Sequence, residues 1–468
     1  MSFSFPAGFA RRMERLLAED WPRVAAAYEE PLRRGLRVNG LKCTPAQLLA
    51  QFPLPLIPSP FAAGSFFVQG EWKAGTDPLH HAGAYYMQEP SATSAVTALA
   101  PQPGEAVLDL CAAPGGKSTQ IAAALRGEGV LWCNEFVRER ARALMQNLER
   151  CGVRNAVVTS SDTASLCAGL TERFDAVLVD APCSGEGMFR KEPAALAQWS
   201  EELIRQCAAR QTRILDDAAQ AVRPGGRLLY STCTFAPEEN ELAVCRFLAS
   251  HPDFCLEDLS ALPFGRPGFV WEQVVPFAAG EIQPDVPLTR CRRLLPGDGG
   301  EGHFLALFRR EGNSPSLPFT APEKERKKSP FCNSFNDLYF QCFSGSPYGV
   351  PSAEGTWIRL LPEKISPSFL KVRGVISAGV TAAEIRRDRL EPAHGLFLAA
   401  QPGECLRRVN FAREDPLLSA FLRGEEIPVE SPSGYTAVLA GGVTVGFGKC
   451  SGGRLKNRYP KGLRLLSR

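Results

Sequence analysis

The stretch "AVLDLCAAPGGKSTQIAAAL", residues 106–125, decides the fold. "AVLDL" is a short apolar run ending near an acid, which reads as a buried strand. "CAAPGGK" follows as a loop in which Gly115 and Gly116 let the backbone approach a ligand closely. "STQIAAAL" then continues as a helix whose first N–H groups face the same space. The unit recurs down the chain. "GVLWCNE" (129–135) is a second strand, followed by the helix "FVRERARALMQNLERCG" with its glycine end. "NAVVTSSD" (155–162) and "FDAVLVD" (174–180) are further strands. "EELIRQCAARQTRILDDAAQAV" is a long helix, "GGRLLYST" (225–232) a fifth strand and "ENELAVCRFLAS" helical. "FCLEDL" (254–259) and "HFLALFRR" (303–310) read as a late antiparallel pair. This alternation predicts an α/β protein with a seven-stranded, mostly parallel sheet and helices on both faces.

The flanks have other patterns. "MSFSFPAGFARRMERLLAEDWP" reads as an amphipathic helix, with Phe9, Met13, Leu16 and Leu17 on one side. It lacks the basic-then-apolar order of a signal peptide, and no run of eighteen apolar residues occurs, so a cytoplasmic protein without a membrane span is expected. "RVNGLKCTPAQLLAQF" predicts a strand, then a helix capped at Thr44 with Pro45 in its first turn. Residues 311–330, "EGNSPSLPFTAPEKERKKSP", have a linker's composition. Beyond them, pieces such as "GTWIRLL", "YTAVLA" and "GVTVGFGKC" suggest a small α+β or β-barrel-like module. The expected division is 1–85, 86–312, a linker 313–330, an intermediate α+β segment 331–395, and 396–468.

Composition narrows the chemistry. A formal net charge of +3 over 468 residues announces no global basic field, but the last twenty residues hold seven Lys or Arg and no acid. A solvated strand edge and a phosphate-binding surface both fit that stretch. The fifteen cysteines lie at least ten residues apart, which excludes zinc ribbons and redox pairs of two-residue spacing. His80 and His81 have no partner spacing, so no metal is expected. Phe66, Phe67, Tyr85 and Tyr86 read as core.

In open parallel sheets, ligands bind beyond the carboxyl ends of the strands. That rule gathers Asp109, the loop 111–117, Glu135, Asp162 and Asp180 into one place. Dinucleotide and P-loop glycine patterns are absent. An acid about twenty residues past a glycine loop suits ribose hydroxyls, so the ligand is read as a nucleoside without phosphates, S-adenosylmethionine. Asp109, Glu135 and Asp162 would then face its amine, ribose and base. The plainer alternative is a tight turn at "PGG" with the acids as helix caps.

"DAPCSG" and "STCTF" put Cys183 and Cys233 past two successive strands of this kind. Neighbouring strands lie about 5 Å apart, so both sulfurs can share one space beside the cofactor. A thiolate beside a methyl donor suits C5 of cytosine: addition at C6 makes C5 enamine-like and able to attack the methyl. The reaction needs a covalent nucleophile, a group that polarises the ring and a base, which two cysteines and Asp180 supply. Arg190 and Lys191 could anchor a phosphate or pair with a nearby carboxylate such as Glu192.

"LDLCAAPGGKSTQIA", "DAPCSGEGMFRK" and "YSTCTFAPEENE", in this order, resemble the Sun/Nop family of RNA (cytosine-5) methyltransferases, as do "GAYYMQEPSATSAV" and "CRRLLPGDGGEGHFLALFRR". "RVNGLK" and the basic C-terminal module are similar to the bacterial RsmF-like ribosomal RNA members. The resemblance implies a Rossmann-like S-adenosylmethionine-dependent core, an N-terminal α+β domain that is RNA-binding or accessory, and a C-terminal PUA-like RNA-binding domain. It implies Cys233 as nucleophile and Cys183 as the cysteine that helps release the product. It implies cofactor contacts from Cys111, Ala112, Ala113, Pro114, Gly115, Gly116, Lys117, Glu135, Asp162 and Asp180, with Lys117 and Asp180 also near the target base. Pro296-Gly297 departs from the family's usual "PH". The expected partner is RNA, ribosomal RNA or a small ribosomal subunit, with the enzyme a monomer. A tRNA cytosine-5 methyltransferase and a catalytically idle ribosome-assembly factor remain alternatives.

Overall fold

Five parallel strands form the centre of the computed structural model, which describes residues 3–465 apart from 316, 318, 320–329, 367 and 388. They are β1 (Ala106–Asp109), β2 (Val130–Asn134), β3 (Ala156–Thr159), β4 (Phe174–Asp180) and β5 (Val222–Thr232). β1 to β3 are buried at every residue, and near-continuous apolar runs are what a sheet covered on both faces requires. β6 (Phe254–Leu256), β7 (Arg266–Pro267), β8 (Arg292–Leu294), β9 (His303–Arg310) and β10 (Val375–Ala378) complete the sheet. Its order is β7-β8-β9-β5-β4-β1-β2-β3-β10, with β6 also on β9. β9 runs antiparallel to β5 and to β6, which is the expected late pair.

Among the described residues the sheet has ten strands where seven were expected. β7 and β8 are two and three residues long, too short to show a period. β10 comes from beyond residue 330 and pairs antiparallel with the edge strand β3.

Helices cover both faces. α1 (Gly116–Leu125) and α2 (Arg138–Arg150) bury Ile121, Leu125, Leu144 and Leu148 on one face. α3 (Thr163–Gly169), α4 (Glu201–Ala221) and α5 (Glu241–Ser250) bury Leu166, Leu215 and Leu242 on the other. The N-terminal helix Ala7–Leu17 buries Phe9, Met13, Leu16 and Leu17, as its pattern predicts. These pack with Phe189 and Phe235, over the two cysteine-bearing segments.

Residues 34–87 form a separate antiparallel four-stranded sheet, and the helix Pro45–Leu49 is capped by Thr44 through a reciprocal box with Gln47. Past the helix Pro330–Cys342, a four-stranded and a five-stranded sheet follow. Phe335, Leu360, Leu396 and Phe447, drawn from both of these sheets and the helices beside them, share one core. The expected linker lies largely outside the described residues. Among the described residues, no helix is long and apolar enough to cross a membrane.

Candidate active site

Each parallel strand delivers one polar group to the same end of the sheet. Asp109 at the tip of β1 is 1 % exposed. Its Oδ2 accepts from Ser118 Oγ at 2.7 Å, its Oδ1 has no partner, and burial pushes its carboxyl up to about 7. The loop from Cys111 to Lys117 crosses the tip of β2, where Ala112 N–H donates to Asn134 O at 2.8 Å. Gly115 has φ +109°, and a Cβ there would meet Leu144 Cδ1 at 3.1 Å, so a side chain would be both strained and crowded against α2. Arg37 of the N-terminal sheet, buried, steadies the loop by donating to Gly116 O and Thr119 Oγ1. Removal from water pushes the Cys111 thiol far up.

Glu135, after β2, is 4 % exposed; its Oε1 accepts from Val137 N–H at 2.9 Å, and Arg140 lies 3.4 Å from Oε2. Asp162, after β3, caps α3 by accepting from Ser165 N–H at 2.8 Å, so the plainer reading describes one of its oxygens. Beside it, Ser161 Oγ is buried without a partner. Buried polar atoms without partners are rare in folded proteins. Two of them, Asp109 Oδ1 and Ser161 Oγ, stand on the tips flanking Glu135, which is what a polar ligand lying across those tips would satisfy. Acids and backbone N–H groups without a phosphate cradle fit S-adenosylmethionine. Among the described residues, no group of three His, Cys, Asp or Glu could hold a metal ion.

The two distant cysteines meet: Cys183 Sγ lies 3.3 Å from Cys233 Sγ. Their strands explain it. β4 and β5 pair in parallel with Asp180 beside Ser231, and each cysteine follows within three residues of that pair. Asp180 Oδ1 accepts from Ser231 Oγ at 2.7 Å and Oδ2 from Lys117 Nζ at 2.6 Å. His303 Nε2 stands 3.8 Å from Oδ1. Burial alone would raise the Asp180 carboxyl, but Lys117 and His303 outweigh it and hold the carboxyl well below the ordinary range. Burial likewise works against the Lys117 ammonium, and Asp180 and Cys233 outweigh it, so its pKa is raised. The bond to Cys233, then burial, pushes the Cys183 thiol far up. Either sulfur can donate to the other across this contact.

The acids after Cys233 hold the site together. Glu239 Oε2 accepts from Ser184 N–H at 3.0 Å and Gln211 Nε2 at 2.7 Å. In the opposite sense, Glu186 Oε2 accepts from Thr234 Oγ1 and Phe235 N–H, each at 2.9 Å. Each cysteine loop thus grips the other through a buried carboxylate. Glu241 pairs bidentately with Arg293, and Glu238 with Arg12 of the N-terminal helix. Ser231, His303 and Glu186 were not singled out from the sequence. The strand register would have found Ser231; the others act through contacts between segments that no local pattern marks.

Arg190 is not free for a phosphate. Its guanidinium is bidentate on Glu301 at 2.7 and 2.8 Å and also donates to Ala27 O and Glu30 O, so the ion-pair reading holds, with Glu301 rather than Glu192. The departure at Pro296-Gly297 is filled from the N-terminal domain: Gly297 has φ +93°, and a Cβ there would meet Arg23 Nη1 at 2.8 Å.

A parallel sheet in this order, with an antiparallel strand beside its last member and a glycine loop after its first, defines an S-adenosylmethionine-dependent methyltransferase. The family model "16S rRNA methyltransferase RsmB/F" matches residues 96–309. Models for the N-terminal domain of 16S rRNA methyltransferase RsmF and for the methyltransferase RsmF PUA domain match residues 5–90 and 408–465. The chain is 34% identical to ribosomal RNA small subunit methyltransferase F of Escherichia fergusonii, over 98% of this chain and 96% of that one. The corresponding protein of Vibrio cholerae is 31% identical over 99% and 98%. The chain belongs to this family. Among solved structures, a methyltransferase homolog protein from Pyrococcus horikoshii is 31% identical, with a TM-score of 0.57 over 66% of this chain and 96% of that one. NSun6 from the same organism, at 21% identity and a TM-score of 0.54 over 66% and 99%, shares the fold.

Proposed function

We propose that this protein methylates C5 of a cytidine in small-subunit ribosomal RNA, with Cys233 as covalent nucleophile. The supporting observation is the 3.3 Å approach of Cys233 and Cys183 beside the Lys117–Asp180 ion pair. Asp109 would hold the amine of S-adenosylmethionine, Glu135 its ribose hydroxyls, Asp162 its base, and the loop Cys111–Lys117 its backbone-facing side. Bound there, the cofactor supplies an electrophilic methyl group.

The target base must leave its stack to expose C6. Asp180 stays ionised and accepts from the exocyclic amine of cytosine; uracil would present an oxygen to the same carboxylate. Lys117, ion-paired with Asp180, faces Cys233, whose thiolate is the attacking form. That thiolate adds to C6, the ring's electrons shift to C5, and C5 takes the methyl. Transfer of the C5 proton to a base then restores the C5–C6 double bond as the C6–S bond breaks and Cys233 leaves as a thiolate. Cys183, in contact with the departing sulfur, serves this release step.

The test is trapping with undermodified small-subunit ribosomal RNA and S-adenosylmethionine. Cys183→Ala should accumulate a protein–RNA adduct that survives denaturation, and Cys233→Ala should form none and transfer no methyl group. Adduct in neither variant, with the wild type active on that RNA, would overturn the assigned roles. Methyl transfer to tRNA instead would move the substrate to the rival class.

A further inference from the structure

The segment 331–395 carries no motif for RNA or cofactor, yet it reaches the methyltransferase sheet. β10 lies along β3, with Val375 beside Thr159 and Ala378 beside Val157. The strand does more than cover an edge. Just past β3, Ser160 N–H donates to Gly374 O at 2.8 Å, while Ser160 Oγ donates to Phe136 O at 3.2 Å. Ser161 is held on its other side by Asn134, which accepts from Ser161 N–H at 3.2 Å and donates to Ser161 O at 3.1 Å. The turn Ser160–Asp162 is thus gripped between the tip of β2 and residue 374.

The fit at 374 is close. Gly374 has φ +87°, and a Cβ there would stand 2.6 Å from Ser160 O and 3.0 Å from Ser161 Cβ. Only glycine allows this approach. Val372 continues the contact onto α3, 4.0 Å from the position a Cβ on Gly169 would take. The bonds from Ser165 hold the Asp162 carboxyl below its ordinary range, and the charge of Arg373, between Val372 and Gly374 in sequence, adds to them. Ser161 Oγ, buried at this corner, has no protein partner, and Phe136 next to Glu135 is 72% exposed. An unpartnered hydroxyl, an acid and an open aromatic face suit a purine ring.

We infer that residues 372–375 are the outer wall of the adenine end of the S-adenosylmethionine site, so that docking of the C-terminal half completes the cofactor pocket. This rests on the cofactor reading above. The physical basis is preorganisation: a turn held from both sides loses less freedom when the ligand binds.

The test is calorimetric titration of the full chain, without RNA, with S-adenosylmethionine and separately with adenosine. Gly374→Val forces a β-branched residue into a positive φ against Ser160 O. It should weaken both ligands by about tenfold or more. Arg373→Glu, an exposed substitution that spares the core, should weaken both by about threefold and in the same ratio, because the wall touches the adenosine part. Retention of wild-type affinity by both variants would overturn the inference, as would losses confined to S-adenosylmethionine with adenosine unchanged. A wild type that binds neither ligand would instead sink the cofactor reading itself, and the wall with it.

Discussion

A buried or half-buried carboxylate stays charged only if other groups replace the water it loses, and the site contains both outcomes. Asp180 has Lys117 on one oxygen and Ser231 on the other and stays ionised. Glu239 has only neutral donors, Ser184 N–H and Gln211, both on Oε2, and its Oε1 is without a partner. Burial pushes its carboxyl up to about 8, which places a proton on Oε1 near neutrality. The folded value exceeds the unfolded value of about 4.3, so folding takes up a proton between those two pH values. The stability Glu239 contributes is complete below about pH 4.3 and is lost as pH rises through about 8. Glu239→Gln, neutral at every pH, should flatten this dependence. Its melting temperature relative to wild type should rise steadily from pH 5.5 to pH 8.5. A difference that stays constant, or falls, would show that Glu239 is ionised in the folded protein. The cysteines and the strand-end acids were legible in the sequence, because strand periodicity places a residue at a strand tip without knowledge of its neighbours. The environment of Glu239 was not, since Ser184 and Gln211 come from other elements.

At the level of elements, two loops that follow adjacent strands must be held at a fixed spacing. β4 and β5 set the spacing of the backbones, and the crossed side chains of Glu186 and Glu239 set that of the loops. Glu186 collects three donors: Trp199 Nε1–H at 2.8 Å, Thr234 Oγ1–H and Phe235 N–H. Glu186→Ala leaves them facing a void. With about 1–3 kcal/mol for each buried donor left unsatisfied, and relief from desolvating Glu186 itself, a net loss of about 2 kcal/mol or more is expected in urea denaturation. The same variant should lose methyl transfer beyond its stability loss, because Cys233 is no longer held against Cys183. A loss below about 0.5 kcal/mol would show that the loops are held by their backbones alone. The alternating strands and helices were readable because each buries its own apolar stripe. β7, β8 and β10 were not: two are only a few residues long, and β10 pairs with a strand far away in sequence.

Across the whole molecule, the two ends of the chain close on one another. Leu36, Val38 and Leu79 of the N-terminal sheet region share a core with Leu418, Phe421 and Tyr459 near the C-terminus. Polar contacts follow the same seam. His81 lies in the short helix Pro78–His81, and its Nδ1 stands 2.9 Å from Tyr459 Oη; Arg413 pairs with Asp77 at 2.9 Å. The basic C-terminal stretch forms the strands Val443–Ser451 and Arg454–Asn457 and, through Tyr459, part of this seam. A seam between chain ends has no local signature, so no sequence pattern announces this shared core. Phe421 tests whether that core unfolds as a unit. It is 0% exposed and packs on Tyr459 at a ring separation of 5.6 Å. Phe421→Ala should cost about 3–5 kcal/mol. If the two ends depend on one another, amide exchange should accelerate in the N-terminal strand Arg34–Val38 as much as in the variant's own helix, Pro416–Arg423. Faster exchange confined to residues 408–465 would mean that the C-terminal domain opens alone, leaving the N-terminal sheet to stand on its own small core.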